Sequence, residues 1–206
     1  MKKITIAIIT LIGLVISPAI PSLALNYGSG TYGTCQYSSC SITISSAVIV
    51  NLDLVPVTSP GTCTIESGIV QVLTDDSNGF SLTLNDSTTG TALTNGAASI
   101  SAESGTFASP SSLQSDTWGY RVDATSINVN SFGAGPTSVE ANSLAPSATP
   151  LFAAIKASNV TADTITNDPA AADPAVNTTV FYGVCGDTSV TPGEYSASVV
   201  YSATTN

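Results

Sequence analysis

Alternating apolar and polar residues limit what this chain can fold into more than any other feature. Residues 80–85 read FSLTLN, so an apolar side chain occupies every second position. Trp118, Tyr120 and Val122 follow the same spacing. Because successive side chains of a strand point to opposite faces, this pattern predicts strands with one buried face.

Segments of this kind are separated by clusters of turn-forming residues, such as DDSNG at 75–79. We count eight or nine strands, and no helix is predicted after residue 24. The spacing favours an all-β fold in which two antiparallel sheets pack as an immunoglobulin-like sandwich. The strands on either side of 75–79 are predicted to form a hairpin. Segments 177–184 and 195–201 are predicted to form a second, terminal hairpin.

Residues 1–24 have the organisation of a signal peptide. Two lysines near the start, an apolar run over 4–16 and the small residues of SLA at 22–24 are typical of a cleaved leader. The apolar run is short for a membrane span. We therefore expect an apolar signal helix that is removed, and a mature chain that begins at Leu25 outside the cytoplasm. An uncleaved membrane anchor is the alternative.

The rest of the chain is divided into a flexible segment over 25–39 and a single β domain over 40–206. The whole chain has 4 basic and 14 acidic residues, and loss of the leader would leave only Arg121 and Lys156 as cations, for a net charge of −12. Such a surface repels nucleic acid and anionic lipid. We expect no nucleic-acid partner and no stable membrane insertion after cleavage. The charge also favours solubility.

The chain has four cysteines, Cys35, Cys40, Cys63 and Cys185. An even number of cysteines in an exported chain favours disulfides. We favour the pairs Cys35–Cys40 and Cys63–Cys185, while the two other pairings stay open. The second bridge would join an early strand to a late one. Zinc is the competing interpretation, but the cysteines are not arranged as two close pairs.

No catalytic, cofactor-binding or metal-binding residue is predicted. The chain has no histidine, which removes the usual triads and histidine-based metal sites. Carboxylate pairs for glycoside hydrolysis are limited to candidates such as Asp75 with Asp76, or Asp116 with Asp123.

Calcium could be bound by the side-chain oxygens of Asp75, Asp76 and Asn78, although turn formation is the favoured role of this cluster. A second acidic set comprises Asp163, Asp168 and Asp173.

Two aromatic residues are candidates for ligand stacking, Trp118 and Tyr120. Sugar rings stack on exposed aromatic faces, but the alternation of these residues with Val122 favours packing in the core.

Lys156 is a candidate for a covalent bond to an asparagine side chain, of the kind found in some surface sandwiches. Arg121 is expected to pair with an acid such as Asp123 or Asp187.

Two segments resemble the hallmark motifs of WxL-type bacterial cell-surface domains. Residues 79–84 (GFSLTL) resemble the first motif, and residues 192–201 (PGEYSASVVY) resemble the closing strand. Phe80 stands where the family has Trp, and residues 201–203 (YSA) stand in place of Trp-x-Leu. The resemblance implies an exported β-sandwich that adheres noncovalently to the cell wall.

These observations predict a secreted or cell-surface structural or adhesive protein that associates noncovalently with the cell envelope and is not an enzyme. The expected partners are cell-wall polysaccharide or another surface protein. Two alternatives stay open. One is a subunit of a surface polymer such as a pilus or surface layer, and the other is a carbohydrate-binding module.

Overall fold

The computed structural model describes residues 41–46, 49–123, 132 and 139–206, together with the backbone of Ala7–Ile8. These residues form strands and contain no helix, and hence none that is long and apolar enough to cross a membrane. The strands are β1 (Ala7–Ile8), β2 (Ile42–Ser46), β3 (Thr62–Thr74), β4 (Phe80–Asp86), β5 (Leu93–Asn95), β6 (Ala98–Ala102), β7 (Ser111–Ser112), β8 (Thr117–Val122), β9 (Glu140–Leu144), β10 (Leu151–Phe152), β11 (Asp163–Asp168), β12 (Ala172–Gly186), β13 (Ser196–Ala197) and β14 (Val199–Thr205).

The predicted all-β class is confirmed. The described residues form 14 strands, more than the eight or nine predicted, and four of them (β1, β7, β10 and β13) are two-residue pairings that no sequence period reveals. The predicted leader helix and the flexible segment over 25–39 lie outside the described residues, apart from the backbone of β1.

The strands belong to three sheets. The large sheet has nine strands in the order β1-β13-β5-β6-β8-β12-β3-β2, and β9 also pairs with β3. The small sheet has three strands in the order β11-β4-β14, and β7 and β10 form a separate pair. Most pairings are antiparallel, but β6 with β8 and β1 with β13 are parallel.

Both predicted hairpins are wrong. After β3 the chain turns at 75–79 and enters β4, but β3 belongs to the large sheet and β4 to the small one. Likewise β12 pairs with β3 and β8, whereas β14 pairs with β4. At these two places, strands that follow each other in sequence belong to different sheets. Apolar alternation identifies a strand and its buried face, but it does not indicate which strand is the hydrogen-bonding partner.

The large and small sheets contribute to one buried apolar cluster. Trp118, Val180 and Val184 come from the large sheet, while Phe80 and Leu82 come from the small sheet. A second cluster lies around Cys63, Ile65, Leu113, Phe152, Phe181 and Cys185. The inward positions of β4 are the ones that the FSLTLN pattern predicted.

Three buried side-chain hydrogen bonds join the two sheets. Tyr120 of β8 donates its hydroxyl to Asp163 Oδ2 of β11 over 2.8 Å. Thr178 of β12 and Thr166 of β11 share a hydroxyl hydrogen bond of 2.8 Å. The third is between the hydroxyls of Tyr182 in β12 and Tyr201 in β14. Because a buried polar group without a partner is costly, these pairs help to fix the positions of the two sheets relative to each other.

The disulfide between Cys63 and Cys185 is present. The two cysteines are directly opposite each other in the register of β3 and β12, with Cα atoms 4.0 Å apart. This confirms the predicted link between an early and a late strand, which are 122 residues apart in sequence. The predicted Cys35–Cys40 bridge lies outside the described residues.

A pair of glycines makes room for a layer outside the large sheet. Gly119 of β8 and Gly183 of β12 are opposite each other in register. A Cβ atom on Gly119 would lie 2.7 Å from the Ala153 carbonyl oxygen, and one on Gly183 would lie 2.8 Å from the Phe152 ring. Since Ala153 also exchanges two backbone hydrogen bonds with Tyr120, side chains at these positions would push this layer outward.

We predict that the double variant Cys63→Ala/Cys185→Ala folds but is less stable than the wild type by about 2–5 kcal/mol, because the bridge restricts a long loop in the unfolded chain. Urea unfolding followed by circular dichroism measures the difference. Reduced wild type should unfold at the same urea concentration as the variant. Equal midpoints for the oxidised wild type and the variant would contradict the stabilising role.

We predict that Gly119→Ala destabilises the protein by about 1–3 kcal/mol, because the new methyl group meets a backbone oxygen. Gly90→Ala is the matched control, since its methyl group would approach only the Thr88 hydroxyl, at 3.8 Å. The same urea assay applies to both variants. A loss of stability in the control as large as in Gly119→Ala would show that the close approach is not the cause.

Candidate functional site

The two residues predicted for ligand stacking lie in the core, and the stacking hypothesis for them is contradicted. Trp118 and Tyr120 are both 0% exposed. The Trp118 indole nitrogen donates to the Thr91 carbonyl oxygen over 2.9 Å, and the Tyr120 hydroxyl is bonded to Asp163. Neither ring has an exposed face on which a sugar could lie. The favoured alternative, packing in the core, is what the structure has.

The acidic candidates at 75–78 serve the turn between β3 and β4. Asp76 Oδ1 accepts hydrogen bonds from the backbone and side-chain nitrogens of Asn78, at 2.9 and 3.1 Å. Asp75 Oδ1 accepts from the backbone of Ser41 at 2.8 Å. Carboxylates that accept from backbone two residues on are typical of Asx turns. No group of three or more His, Cys, Asp or Glu side chains suited to a metal ion occurs in the described part of the chain.

Asp116 and Asp123 are not a catalytic pair. They flank the six residues of β8, one at each end. At the rise of a strand they are separated by roughly 20 Å, whereas glycoside hydrolysis needs two carboxyl groups within about 10 Å. Asp116 instead accepts hydrogen bonds from the backbone of Asp187 and the hydroxyl of Ser189.

The two cations have structural neighbours. Lys156 Nζ lies 2.7 Å from Asp163 Oδ1, so its contact is with an aspartate and not with an asparagine. Arg121 is 1% exposed, with its guanidinium 5.8 Å from the centre of the Phe132 ring. Burial lowers the pKa of Arg121, and the nearby charge of Asp123 partly opposes this. The pairing of Arg121 with Asp123 or Asp187 stays a prediction.

A cavity of about 570 Å³ is the most promising site, and we call it the Asp86 cavity. It lies where the end of β4 meets β6 and β13, and Asp86 and Glu103 are among its lining residues. None of its lining residues is a lysine, an arginine or an aromatic residue. The hydroxyl side chains in the wall are Thr88, Thr91, Thr94, Ser101, Ser196 and Ser198.

Asp86 is buried and only half satisfied. Its Oδ1 atom accepts hydrogen bonds from the Thr88 backbone nitrogen at 2.8 Å and the Thr88 hydroxyl at 2.9 Å. Its Oδ2 atom is buried and has no hydrogen-bond partner in the structure. Burial raises the pKa of Asp86, although the hydrogen bonds from Thr88 and Ser87 work in the opposite direction. This oxygen is therefore both unpartnered and closed off from solvent.

Glu103 is the opposite case, because both of its oxygens are fully engaged. Oε1 accepts from the Ser104 backbone and hydroxyl at 2.8 and 3.0 Å, and from the Ser111 hydroxyl at 3.2 Å. Oε2 accepts from the Gln114 backbone at 3.0 Å and the Thr117 hydroxyl at 2.8 Å. Burial alone would raise the pKa of Glu103, but these hydrogen bonds outweigh it and the pKa is lowered. Glu103 thus organises the loop from Ser104 to Thr117.

Asp86 and Glu103 are not among the residues that the sequence predicts to be functional. An aspartate followed two residues later by a threonine, as in Asp86 and Thr88, is typical of an Asx turn, and this pattern indicates that one Asp86 oxygen accepts from Thr88. Nothing in the sequence signals that its second oxygen is unpartnered. Glu103 lies in a stretch poor in large apolar residues, and its five donors come from residues as far as Thr117. Only the folded loop brings them together.

Comparisons with protein-family models, curated proteins and solved structures find no match to this chain.

We predict that Glu103→Gln lowers the stability by about 1.5–3 kcal/mol at neutral pH, because an amide offers fewer acceptor sites to the same five donors. Glu194→Gln is the control, because Glu194 is exposed. Urea unfolding of the three proteins at pH 7 gives the difference. A loss that is equal in both variants would contradict a special role of Glu103.

The pH dependence gives an independent check. Because the pKa of Glu103 is lower in the folded protein than its ordinary value of 4.5, its contribution is complete above that value and is lost as the pH falls through the folded pKa. The stability gap between wild type and Glu103→Gln should therefore be constant near neutral pH and shrink below about pH 4.5. A gap that widens with acidification would contradict this assignment.

Proposed function

We propose that the protein is an exported structural or adhesive component of the cell envelope, built as a two-sheet sandwich of the immunoglobulin-like or WxL-like kind. The observation that carries this proposal is the Cys63–Cys185 disulfide in the middle of the fold. Disulfides persist in oxidising compartments and are rare in the cytosol. A disulfide is expected in an exported protein, and the predicted leader over 1–24 also indicates export.

The sandwich part of the proposal is supported by the shared core and by the three hydrogen bonds between sheets. Residues from β3, β8 and β12 and residues from β4, β11 and β14 meet in one apolar cluster. In addition, the two segments that resemble WxL motifs come together, since β4 and β14 are neighbours with Leu84 opposite Tyr201.

The adhesive part is supported by the Asp86 cavity. A volume of about 570 Å³ is within the range of small-molecule sites in proteins. Its lining is rich in serine and threonine, includes two acidic residues and has no cation, which suits an uncharged polar partner such as cell-wall polysaccharide and disfavours an anionic one.

A second candidate function is a subunit of a surface polymer, and β14 is the observation that favours it. β14 has seven residues, and among the described strands it is hydrogen-bonded only to β4, with β2 lying near it. The terminal strand of a sheet can pair with a strand from a neighbouring molecule. In this case association would occur through backbone hydrogen bonds and would not need a glycan.

Fractionation of cells that produce the full-length protein tests the main proposal. We expect the protein in the envelope fraction without residues 1–24, and a Cys63–Cys185 peptide in non-reducing mass mapping. Recovery in the cytosol with the leader intact and reduced sulfurs would overturn export.

Binding and assembly are measured separately. Mixed with purified cell walls, the mature protein should sediment with them, and protein found only in the supernatant would overturn adhesion. Size-exclusion chromatography with electron microscopy should show single molecules. Regular filaments or arrays would instead select the polymer subunit.

A further inference from the structure

We infer that Asn95 is a site of spontaneous covalent modification, at which attack by the backbone nitrogen of Gly96 converts the asparagine into aspartate and isoaspartate in the folded protein. This inference goes beyond the proposed envelope role and does not depend on it. It rests on a contrast between two Asn-Gly pairs, at 78–79 and 95–96, which have the same sequence but different surroundings.

The reaction needs only the protein and water. The Gly96 backbone nitrogen attacks Cγ of Asn95, a succinimide ring closes, and the side-chain amide leaves as ammonia with the proton from the Gly96 nitrogen. Water then opens the ring at either carbonyl group. One product is aspartate, and the other is isoaspartate, in which the main chain runs through the former side chain. A glycine in the second position favours ring closure, because it has no Cβ atom to obstruct the close approach.

The Asn95–Gly96 pair is unobstructed. It lies at the tip of the hairpin of β5 and β6, where Asn95 is opposite Ala98. Gly96 has a φ of 58°, which suits the first turn residue of a type II′ hairpin. Gly96 is exposed, and a Cβ atom added to it would have no neighbouring atom within 4 Å. Within the described part of the chain, neither the Gly96 backbone nitrogen nor the Asn95 side chain has a hydrogen-bond partner.

The Asn78–Gly79 pair is held in place on both sides of the reaction. The attacking atom, the Gly79 backbone nitrogen, donates to the Asp76 carbonyl oxygen over 3.0 Å. The leaving group, the Asn78 side-chain nitrogen, donates to Asp76 Oδ1 over 3.1 Å. Gly79 is also buried, and a Cβ atom on it would collide with the Asp168 carbonyl oxygen. Local opening of this turn must therefore precede ring closure.

Modification of Asn95 would alter one part of the large sheet. Aspartate adds a negative charge at the hairpin tip, where Asn95 Nδ2 lies against Gly193. Isoaspartate also lengthens the main chain between β5 and its turn. Since Thr94 is paired with both Ser99 and Ser196, the longer chain disturbs the pairing of β5 with β6 and β13. We therefore expect the isoaspartate form to be less stable than the unmodified protein.

The test is incubation of the folded mature protein in mildly alkaline buffer at body temperature, with a matched sample unfolded in urea. Chymotrypsin separates the two asparagines, because it cleaves after Phe80, Leu82 and Leu84, which lie between them. Mass spectrometry of the peptides at intervals measures replacement of the amide by a carboxyl group. An isoaspartyl methyltransferase assay quantifies isoaspartate.

In the folded protein we expect Asn95 to react about ten-fold faster than Asn78 or more, because only Asn78 requires its turn to open. In urea the two should react at similar rates, since both are followed by glycine. Equal rates in the folded protein, or a faster reaction at Asn78, would overturn the inference. It would also be overturned if Asn95 stayed intact in the folded protein over a period in which it reacts in urea.

Asn95→Gln is the matched control variant, because its longer side chain disfavours ring closure while the amide group is kept. It should stay unmodified at this position, with the reaction at Asn78 unchanged. Modification at position 95 as fast as in the wild type would show that ring closure is not the route.

The structural consequence is measured on aged wild type, from which anion exchange isolates the modified fraction. Because this fraction contains isoaspartate, it should unfold at a lower urea concentration than Asn95→Asp, which has the same charge on a normal main chain. Equal midpoints would overturn the expected effect on strand pairing.

Discussion

The pairing of β3 with β12 is the interaction on which the rest of the structure depends. These two strands are the longest in the protein, and they run in unbroken register from Val72 opposite Val176 to Thr62 opposite Gly186. Every other part of the large sheet is added to their outer edges, with β2 and β9 on β3 and β8 on β12. The disulfide is part of this register, and it therefore holds a pairing between distant parts of the chain.

The small sheet is held by a core that is mainly apolar but includes a few polar side chains. Burial raises the pKa of Tyr120, Tyr182 and Tyr201, so their hydroxyl groups stay neutral and act as hydrogen-bond donors or acceptors between the sheets. Apolar contacts favour association of the two sheets, but they do not select one alignment because they are not directional. The directional hydrogen bonds of these tyrosines favour one alignment.

Asp86 and Glu103 show how the same side-chain chemistry acquires two roles. Both residues are buried and line the same cavity, and burial by itself would raise the pKa of each carboxyl group. Glu103 is surrounded by a loop whose backbone and hydroxyl groups satisfy it, so its net pKa is lowered and it supports structure. Asp86 is at the end of a strand, where only the next turn reaches it. This difference in available donors separates a fully hydrogen-bonded carboxylate from one that is only half satisfied.

Local periodicity is enough to assign the strands at residues 80–85 and 118–122 and to identify their buried faces, because side chains along a strand alternate between its two faces. The same alternation favours Trp118 as a core residue, and the number and position of the cysteines favour the bridge between Cys63 and Cys185. The sequence does not show that β3 and β4 belong to different sheets, or that Asp86 Oδ2 has no partner. Strand partners and hydrogen-bond donors come from distant parts of the chain, and their choice depends on how all the strands pack together.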